Sequence, residues 1–329
     1  MDNGLIVYLL VFASVLSITI LIERRLIPFL AKRAAQPIYA EGPSWHMSNT
    51  GTPTMGGLAF LVSISTTLGI VCIFLFSQWN DFQVGISLLI SMLYSIGNAL
   101  IGVFDDLMKL RKKQNAGLTP IQKLALQSLL AVLFLMARKH FFDDPTILNF
   151  SFGSIDIGFI YYPFALILLL GVVNCANLTD GVDGLASTVA ICIGSVFVII
   201  GAMTSLSDVS ILSVALIGGA VGFLHYNKHP AKIFMGDTGS LFLGALAACL
   251  AFSSANPLTI ILIGGVYVVE GVSVILQVLY FKLTKKRLFK MAPFHHHLEK
   301  CGFTENKICL LFAMISLALS LISFAIFKI

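Results

Sequence analysis

Charged residues are scarce in this chain. They make up 11% of its 329 residues, against about a quarter in soluble globular domains. Hydrophobic residues make up 57%, and the mean hydropathy is +0.94. This composition excludes a soluble fold and predicts an all-α integral membrane protein. Because a crossing needs about 20 apolar residues, the chain can hold about ten helices in a single membrane domain, 1–329, without a separate soluble module.

Other absences narrow the function. None of the six cysteines forms a C-x-x-C pair, so neither a disulfide framework nor a thiolate metal site is expected. The chain has no internal repeat, which argues against an inverted-repeat transporter, and no low-complexity segment. No small-residue cleavage site follows the first apolar segment, 5–22, which therefore predicts a retained helix. The net charge of +5 is modest and lies in loops, so no nucleic-acid partner is expected.

Ten apolar runs predict the crossings and their orientation. They cover 4–23, 54–77, 84–104, 121–138, 160–176, 187–204, 209–226, 239–254, 258–281 and 307–327. The loops after the odd-numbered spans contain all of the 21 lysines and arginines except Arg138, Lys139 and Lys328. The positive-inside rule places those loops in the cytoplasm and both termini outside.

The outer loop between spans 4 and 5 has a pattern of its own. Phe150, Phe152, Ile155, Ile157 and Phe159 alternate with polar or small residues around a Gly-Ser turn. This pattern predicts a short extracytoplasmic β-hairpin with a structural role.

Two adjacent carboxylates, Asp105 and Asp106, end the third span. Ionisable groups at membrane depth usually mark a site, a pathway or an ion. Alternatively, the pair ends the helix at the headgroup level and forms a salt bridge with Lys109, one turn on. These two residues alone leave both interpretations open.

Four further clusters lie on the same predicted side of the membrane. The glycine-rich stretch 51–57 enters span 2, where Thr52 or Thr54 could cap a helix whose N–H groups favour phosphate, although an ordinary helix entry is the simpler explanation of this stretch alone. At the end of span 5, polar residues recur every three positions and would share one helical face. They are Asn174, Asn177, Asp180 and Asp183. A plain helix end does not explain four polar residues in register, so a functional role is favoured.

The remaining two clusters contain an aspartate between glycines and three histidines. Asp237 stands between Gly236 and Gly239 before span 8, which suits a carboxylate that reaches a metal or nucleotide, with a helix cap as the alternative. The histidines at 295–297 point about 100° apart on a helix, so they cannot readily bind one zinc ion together. One or two could hydrogen-bond phosphate oxygens.

Carboxylates and phosphates together call for a hard cation. Mg²⁺ is usually held by one or two carboxylates, with phosphate oxygens and water completing its shell. The clusters offer more acids than one ion needs, namely Asp105, Asp106, Asp180, Asp183 and Asp237. The surplus leaves one acid for work as a base and others to orient a substrate.

These residues resemble a known family. The strings GTPTMGG (51–57), NALIGVFDDLMK (98–109), NLTDGVDGL (177–185), KIFMGDTGSLFLG (232–244) and PFHHHLEKCG (293–302) are similar, in order, to those of the phospho-N-acetylmuramoyl-pentapeptide-transferases. These enzymes belong to the polyprenyl-phosphate N-acetylhexosamine-1-phosphate transferase superfamily. The PFHHHLEK string points to this branch rather than to the GlcNAc-phosphate branch.

The resemblance implies a specific reaction. Phospho-MurNAc-pentapeptide would pass from UDP-MurNAc-pentapeptide to undecaprenyl phosphate, giving UMP and lipid I, the first lipid-linked peptidoglycan precursor. It also implies ten helices in the bacterial inner membrane, an active site facing the cytoplasm, Mg²⁺ dependence and a homodimer surrounded by membrane lipids.

The resemblance also implies roles for individual residues. Asp237 resembles the main Mg²⁺ ligand, Asp105 the base that deprotonates the lipid phosphate, and Asp106 a supporting residue beside it. Asn177 and Asp180 match the loop near the nucleotide and the metal, with Asp180 as a second metal ligand, and Phe234 matches the ring that stacks on uracil. The other implied substrate contacts are Thr54, Lys109, Asn174, Gly236, Gln277, His295, His296 and His297.

One departure and two alternatives remain. Where the family pattern has a lysine before GTPTMGG, this chain has Asn49, which puts a charged contact to the nucleotide sugar in doubt. A sibling transferase that uses UDP-GlcNAc would differ only in its sugar pocket. A transporter or channel would place polar groups near the bilayer midplane and on both sides, whereas here they cluster at one surface.

Overall fold

The computed structural model describes residues 2–32, 51–79, 81–112, 117–142, 146–254 and 256–327. Twelve α-helices form most of this part of the chain. They are α1 (Asp2–Ala31), α2 (Gly57–Phe74), α3 (Phe82–Lys112), α4 (Pro120–Phe142), α5 (Tyr161–Thr179), α6 (Leu185–Thr204), α7 (Ser207–Asn227), α8 (Gly236–Ser253), α9 (Thr259–Ile263), α10 (Gly265–Thr284), α11 (Phe294–Glu299) and α12 (Glu305–Ile326). A π-helical turn, Leu75–Trp79, extends α2, and a 3₁₀ turn, Gly158–Ile160, precedes α5.

Ten of the described helices are long and apolar enough to cross a membrane, all except α9 and α11. This count confirms the predicted ten spans. The predicted ninth span, 258–281, is wrong in its bounds because the chain breaks at Gly264, whose backbone leaves the helical region (φ −89°, ψ 21°). Two consecutive glycines at 264 and 265 weaken a helix enough to allow this break. Only α10 remains as the spanning segment.

A two-stranded antiparallel hairpin connects α4 and α5. Its strands, β1 (Ile147–Phe150) and β2 (Gly153–Asp156), pair Leu148 with Ile155 and Phe150 with Gly153. The hairpin also contacts the end of α12, where the Ser151 N–H donates to the Ile326 carbonyl at 2.9 Å. The hairpin therefore lies at the same end of the bundle as the end of α12. Its location outside the cell, like that of both termini, stays a prediction.

Helix α8 forms the centre of the bundle. Nearly every side chain from Thr238 to Ser253 is buried, and its many alanines and glycines let neighbouring helices approach closely. Gly102 of α3 is one such contact, because a Cβ there would collide with the Asp237 carbonyl group. Helices α1, α4, α10 and α12 instead keep exposed leucines, isoleucines and phenylalanines, as lipid-facing helices do. The start of α8 is thus fixed within the centre of the protein.

Candidate active site

A polar cavity of about 260 Å³ lies where the start of α8 meets the ends of α3 and α5. Its lining residues are Thr54, Asp106, Lys109, Asn177, Asp180, Gly181, Val182, Asp183, Asn227, Phe234, Gly236 and Asp237. Four of the five clusters found in the sequence contribute to this wall, and the fifth, the histidine segment, reaches it indirectly through His295. The structure therefore brings together most of the predicted site residues.

The Asp237 carboxylate is held by three side chains from neighbouring helices. Its Oδ2 atom lies 2.5 Å from Nζ of Lys123 and 3.1 Å from Nζ of Lys109. Its Oδ1 atom accepts a hydrogen bond of 2.9 Å from Asn177, which also donates to Ser240. Two ammonium groups and an amide thus fix this carboxylate at the cavity wall.

Asp106 caps α8 from the neighbouring helix. Its carboxylate accepts from the backbone N–H of Asp237 (3.1 Å) and from both the N–H and the hydroxyl of Thr238 (2.9 and 2.7 Å). A negative charge at a helix N-terminus satisfies free N–H groups and interacts favourably with the helix dipole. Neither Asp237 nor Thr238 caps α8 itself. Gly236 must be glycine because its φ is +72° and a Cβ would meet the Asp106 carboxylate.

Asp105 lies behind the cavity wall. Its side chain is 2% exposed, its Oδ1 atom accepts from the Leu118 N–H at 2.8 Å, and its Oδ2 atom lies 2.6 Å from Nζ of Lys109. Lys123 is 3.8 Å away. The predicted salt bridge between Asp105 and Lys109 is therefore present, together with a cavity that Asp106 and Asp237 line.

Backbone pairing positions Phe234. The Phe234 N–H donates to the Pro53 carbonyl (2.8 Å), and the N–H groups of Gly56 and Gly57 donate to the carbonyls of Phe234 and Met235 (2.9 and 3.0 Å). This short ladder fixes the half-buried ring of Phe234 beside Thr54 on the cavity wall.

Asp180 ends α5 and faces the same cavity. Burial raises the pKa of this carboxyl well above its usual range, and the negative charges of Asp237, Asp106 and Asp183 raise it further. Asp183 also lines the cavity, but its carboxylate accepts from the Ala231 N–H (2.9 Å) and lies 3.0 Å from Nδ1 of His229. Asp183 thereby holds the loop that follows α7.

The described residues include a carboxylate group that fits a divalent cation. Oxygens of Asp105, Asp106 and Asp237 all lie within 4.8 Å of one another. The ammonium groups of Lys109 and Lys123 contact this group, which shows that the position favours positive charge. Oxygen-only ligands suit Mg²⁺. Asp180 is not part of this group, so its role as a metal ligand stays a prediction.

Several predicted substrate contacts lie away from this cavity. Asn174 donates to Gln127 at 2.8 Å, and His296 lies against Glu299. His297 stacks on Phe294 and accepts from a backbone N–H. His295 is buried behind Gly181. Gln277 lines a second cavity instead.

Two residues at the site were missed by sequence reasoning. Lys123 is not among the site residues predicted from the sequence, yet its ammonium group bridges Asp237 and Asp105. Glu270 is not among the site residues predicted from the sequence, yet its carboxylate holds His295. Each is a single charged residue beside or inside an apolar span. This isolation is the feature of the sequence that could have identified them as candidate site residues.

Comparison with known proteins places the chain in a class and then in a family. The profile of glycosyl transferase family 4 matches residues 88–255, from α3 through α8, and the ten apolar helices make the chain a multi-pass membrane member of that class.

Curated relatives narrow the class. A phospho-N-acetylmuramoyl-pentapeptide-transferase of Clostridium botulinum (strain Eklund 17B / Type B) is 42% identical over 299 residues, covering 91% of this chain and 90% of the relative. Two further relatives have the same name. The one from Caldanaerobacter subterraneus is 40% identical and covers 96% of this chain and 98% of the relative, and the one from Bacillus subtilis is 41% identical and covers 93% of each. The chain belongs to the phospho-N-acetylmuramoyl-pentapeptide-transferase family. Asn49, the departure from the family pattern expected from the sequence, lies outside the described residues.

Proposed function

We propose that the protein transfers phospho-MurNAc-pentapeptide from UDP-MurNAc-pentapeptide to undecaprenyl phosphate, giving lipid I and UMP. The observation that carries this proposal is the cavity at the helix ends, where three carboxylates and two lysines meet beside Phe234. A site at a membrane surface suits a reaction between one soluble and one lipid-linked substrate.

The reaction is a phosphoryl transfer at a diphosphate. An oxygen of the lipid phosphate attacks the β-phosphorus of the UDP-sugar, forming a new P–O bond. The bond from that phosphorus to the bridging oxygen breaks, and UMP leaves with the electron pair. Catalysis of this kind depends on positioning and charge stabilisation, which the fixed side chains of the cavity supply.

Lysines and carboxylates have separate tasks in this mechanism. Mg²⁺, held by Asp237 and its neighbouring carboxylates, would supply positive charge to the diphosphate oxygens. Lys109 and Lys123 bind and orient phosphate oxygens once those oxygens compete for their ammonium groups. Asp106 keeps the start of α8 in place. Phe234 offers a ring on which uracil can stack, with Thr54 beside it.

We infer that the lipid substrate lies in a groove along α10. A cavity of about 630 Å³ follows the apolar residues Val274, Val278 and Phe281, with cations at its edge. Those cations are Lys282, Lys285 and Arg287. Gln277 lines this groove and also accepts from the N–H groups of Leu288 and Phe289 (3.1 and 2.8 Å). Apolar walls suit a polyprenyl chain, and the cations suit its phosphate.

The test is an assay of the purified protein in detergent. With undecaprenyl phosphate, UDP-MurNAc-pentapeptide and Mg²⁺, we expect release of UMP that stops when EDTA removes the metal. UDP-GlcNAc in place of the MurNAc donor serves as the matched control. Release of UMP from the GlcNAc donor alone would overturn the proposal in favour of the sibling transferase.

A substitution at Asp105 distinguishes direct attack by the lipid phosphate from a two-step mechanism with a covalent intermediate. If Asp105 acts only as a base, an Asp105→Asn variant should recover much of its activity at elevated pH, where the lipid phosphate loses its proton unaided. An obligatory covalent intermediate on this carboxylate predicts no recovery at any pH.

The cytoplasmic orientation also stays a proposal, supported by the charge distribution of the loops. Cys301, exposed beside the histidine segment, offers a direct test. A membrane-impermeant maleimide should label it only after cells are opened. A variant lacking Cys301 is the control, and labelling of intact spheroplasts would contradict the orientation. The homodimer that the family resemblance implies can be measured on the same purified sample by light scattering.

A further inference from the structure

A buried glutamate and a buried histidine form a pair behind the cavity. Glu270, in the second turn of α10, is 0% exposed, and the His295 side chain is 1% exposed. One carboxylate oxygen accepts from the His295 backbone N–H (3.1 Å), and the other lies 2.9 Å from Nδ1 of its ring. From this geometry we assign the ring proton to Nδ1, as the donor to the carboxylate, and the two contacts fix the ring orientation.

The other ring nitrogen faces the cavity wall. Among the described residues, Nε2 of His295 is buried and has no hydrogen-bond partner. A Cβ built on Gly181 would collide with this nitrogen, so the ring lies directly against the Gly181 backbone. Gly181 and its neighbour Asp180 both line the cavity. The ring therefore supports the turn that carries Asp180.

Close packing holds the pair in place. Gly271, next to Glu270, lies against the Cys175 sulfur of α5, where a Cβ would not fit. Helix α10 thus approaches the same helix that ends just before Asp180. Helix packing fixes the Glu270 carboxylate, and this carboxylate in turn fixes the His295 ring. The position of the ring then determines the position of the turn at Gly181.

We propose that Glu270 is a positioning residue, which orients His295 so that the histidine ring sets the position of Asp180 and Gly181 on the wall of the nucleotide cavity. The kinetic consequence rests on the proposed function, whereas the ring orientation does not.

The test compares two buried glutamates. Glu270→Gln keeps the shape but removes the obligate acceptor. We expect it to raise KM for the UDP-sugar about tenfold to a hundredfold, while KM for undecaprenyl phosphate is unchanged. Glu23→Gln is the matched control, because Glu23 is also 0% exposed in a spanning helix and its carboxylate oxygens have no hydrogen-bond partner in the part of the chain that the structure describes. That control should leave both KM values unchanged. Partial misfolding would not imitate this pattern, since KM does not depend on the amount of active enzyme.

A second perturbation reaches the same contact from the other side. Gly181→Ala pushes a methyl group against Nε2 of His295, so it should raise the same KM. The two changes disrupt one contact, and the double variant should therefore be no worse than the poorer single variant. Fully additive effects would overturn the proposal.

A spectroscopic arm separates this inference from the proposed function. In protein labelled with ¹⁵N-histidine, the Nδ1–H resonance of His295, assigned by its loss in His295→Gln, should be present in the wild type and change in Glu270→Gln. A wild type that releases no UMP would defeat the proposed function and leave this measurement intact. An unchanged resonance, or an unchanged KM in an active enzyme, would overturn the positioning role.

Discussion

Helices α3, α4 and α8 carry polar side chains at both ends of the bundle. The two groups of polar side chains differ in their balance of charge. At the cavity end, Asp105, Asp106 and Asp237 face two lysines. At the opposite end, Ser87 of α3 donates to Asp208 of α7 (2.5 Å), and Arg138 of α4 donates to Ser253 of α8 (3.4 Å).

The opposite end is balanced, with one acid, one arginine and two hydroxyl groups that satisfy one another. Asp208 also interacts electrostatically with Arg138. The cavity end has more acid than base and is open to ligands. With α7 supplying Asp208, the three helices thus build a closed structural network at one end, and at the other they build an incompletely neutralised site. Excess charge beside a cavity, rather than buried charge alone, distinguishes the site.

The largest expected effect separates the two ends directly. Asp237→Asn removes the carboxylate that both lysines contact, so kcat for UMP release should fall about a thousandfold. Asp208→Asn, the matched change at the opposite end, should keep kcat within about threefold of the wild type. Comparable losses in both variants would contradict the assignment of the site to one end.

The lysines of α4 provide the next comparison. Lys123→Met removes one of the two ammonium groups on Asp237 and should lower kcat/KM about tenfold to a hundredfold. Lys139, near the other end of α4, lies over the Tyr162 ring, and Lys139→Met should leave kcat/KM unchanged. Steady-state kinetics with the UDP-sugar varied would measure both, and a wild-type value for Lys123→Met would remove Lys123 from the site.

Arg138 tests the structural role of the opposite end. It is 5% exposed, and removing one partner of a buried charge pair leaves the other uncompensated. Arg138→Met should therefore lower the unfolding temperature by several degrees while KM for both substrates stays unchanged. Melting curves in detergent and the same assay measure the two quantities. A raised KM would show that the two ends are coupled.

The sequence predicted features that depend on local composition. Apolar runs of about 20 residues predicted the ten spans. Alternation of apolar and polar residues predicted the hairpin, but the predicted Gly-Ser turn is wrong, because the turn lies at 151–152 and Gly153 and Ser154 begin β2. Glycines around Asp237 marked the start of α8. Each of these features depends on residues that are consecutive in the chain. They can therefore be predicted without knowing how the helices pack.

Contacts between helices could not be predicted in the same way. Asp105 and Asp106 are adjacent, yet only the rotation of α3 against α8 decides that Asp106 lines the cavity while Asp105 lies behind it. Glu270 and His295 are 25 residues apart and meet only because the chain returns along α10. The family resemblance identified the histidine but not the carboxylate that holds it.

The smallest predicted effect compares two aspartates with opposite shifts. Burial and the neighbouring acids raise the pKa of Asp180. Hydrogen bonds from Thr146 and Gly158 lower the pKa of Asp156 on the hairpin. In the unfolded chain both titrate near pH 3.9. As pH rises above about 4, unfolded Asp180 therefore releases a proton that the folded protein retains, and ionisation favours unfolding. Asp156 behaves oppositely, since its contribution to stability is present above that pH and is lost as pH falls.

Melting curves of two asparagine variants would show both signs. Asp180→Asn should be more stable than the wild type by a few degrees at neutral pH, with the difference vanishing near pH 4. Asp156→Asn should be slightly less stable at neutral pH, and that difference should also vanish in acid. Mg²⁺ should stabilise the wild type more than Asp180→Asn, because a cation in the cavity offsets the crowded negative charge around Asp180. If Asp180→Asn were less stable than the wild type at neutral pH, the negative charges at the cavity end would already be neutralised. The cavity end would then not differ from the opposite end in its balance of charge.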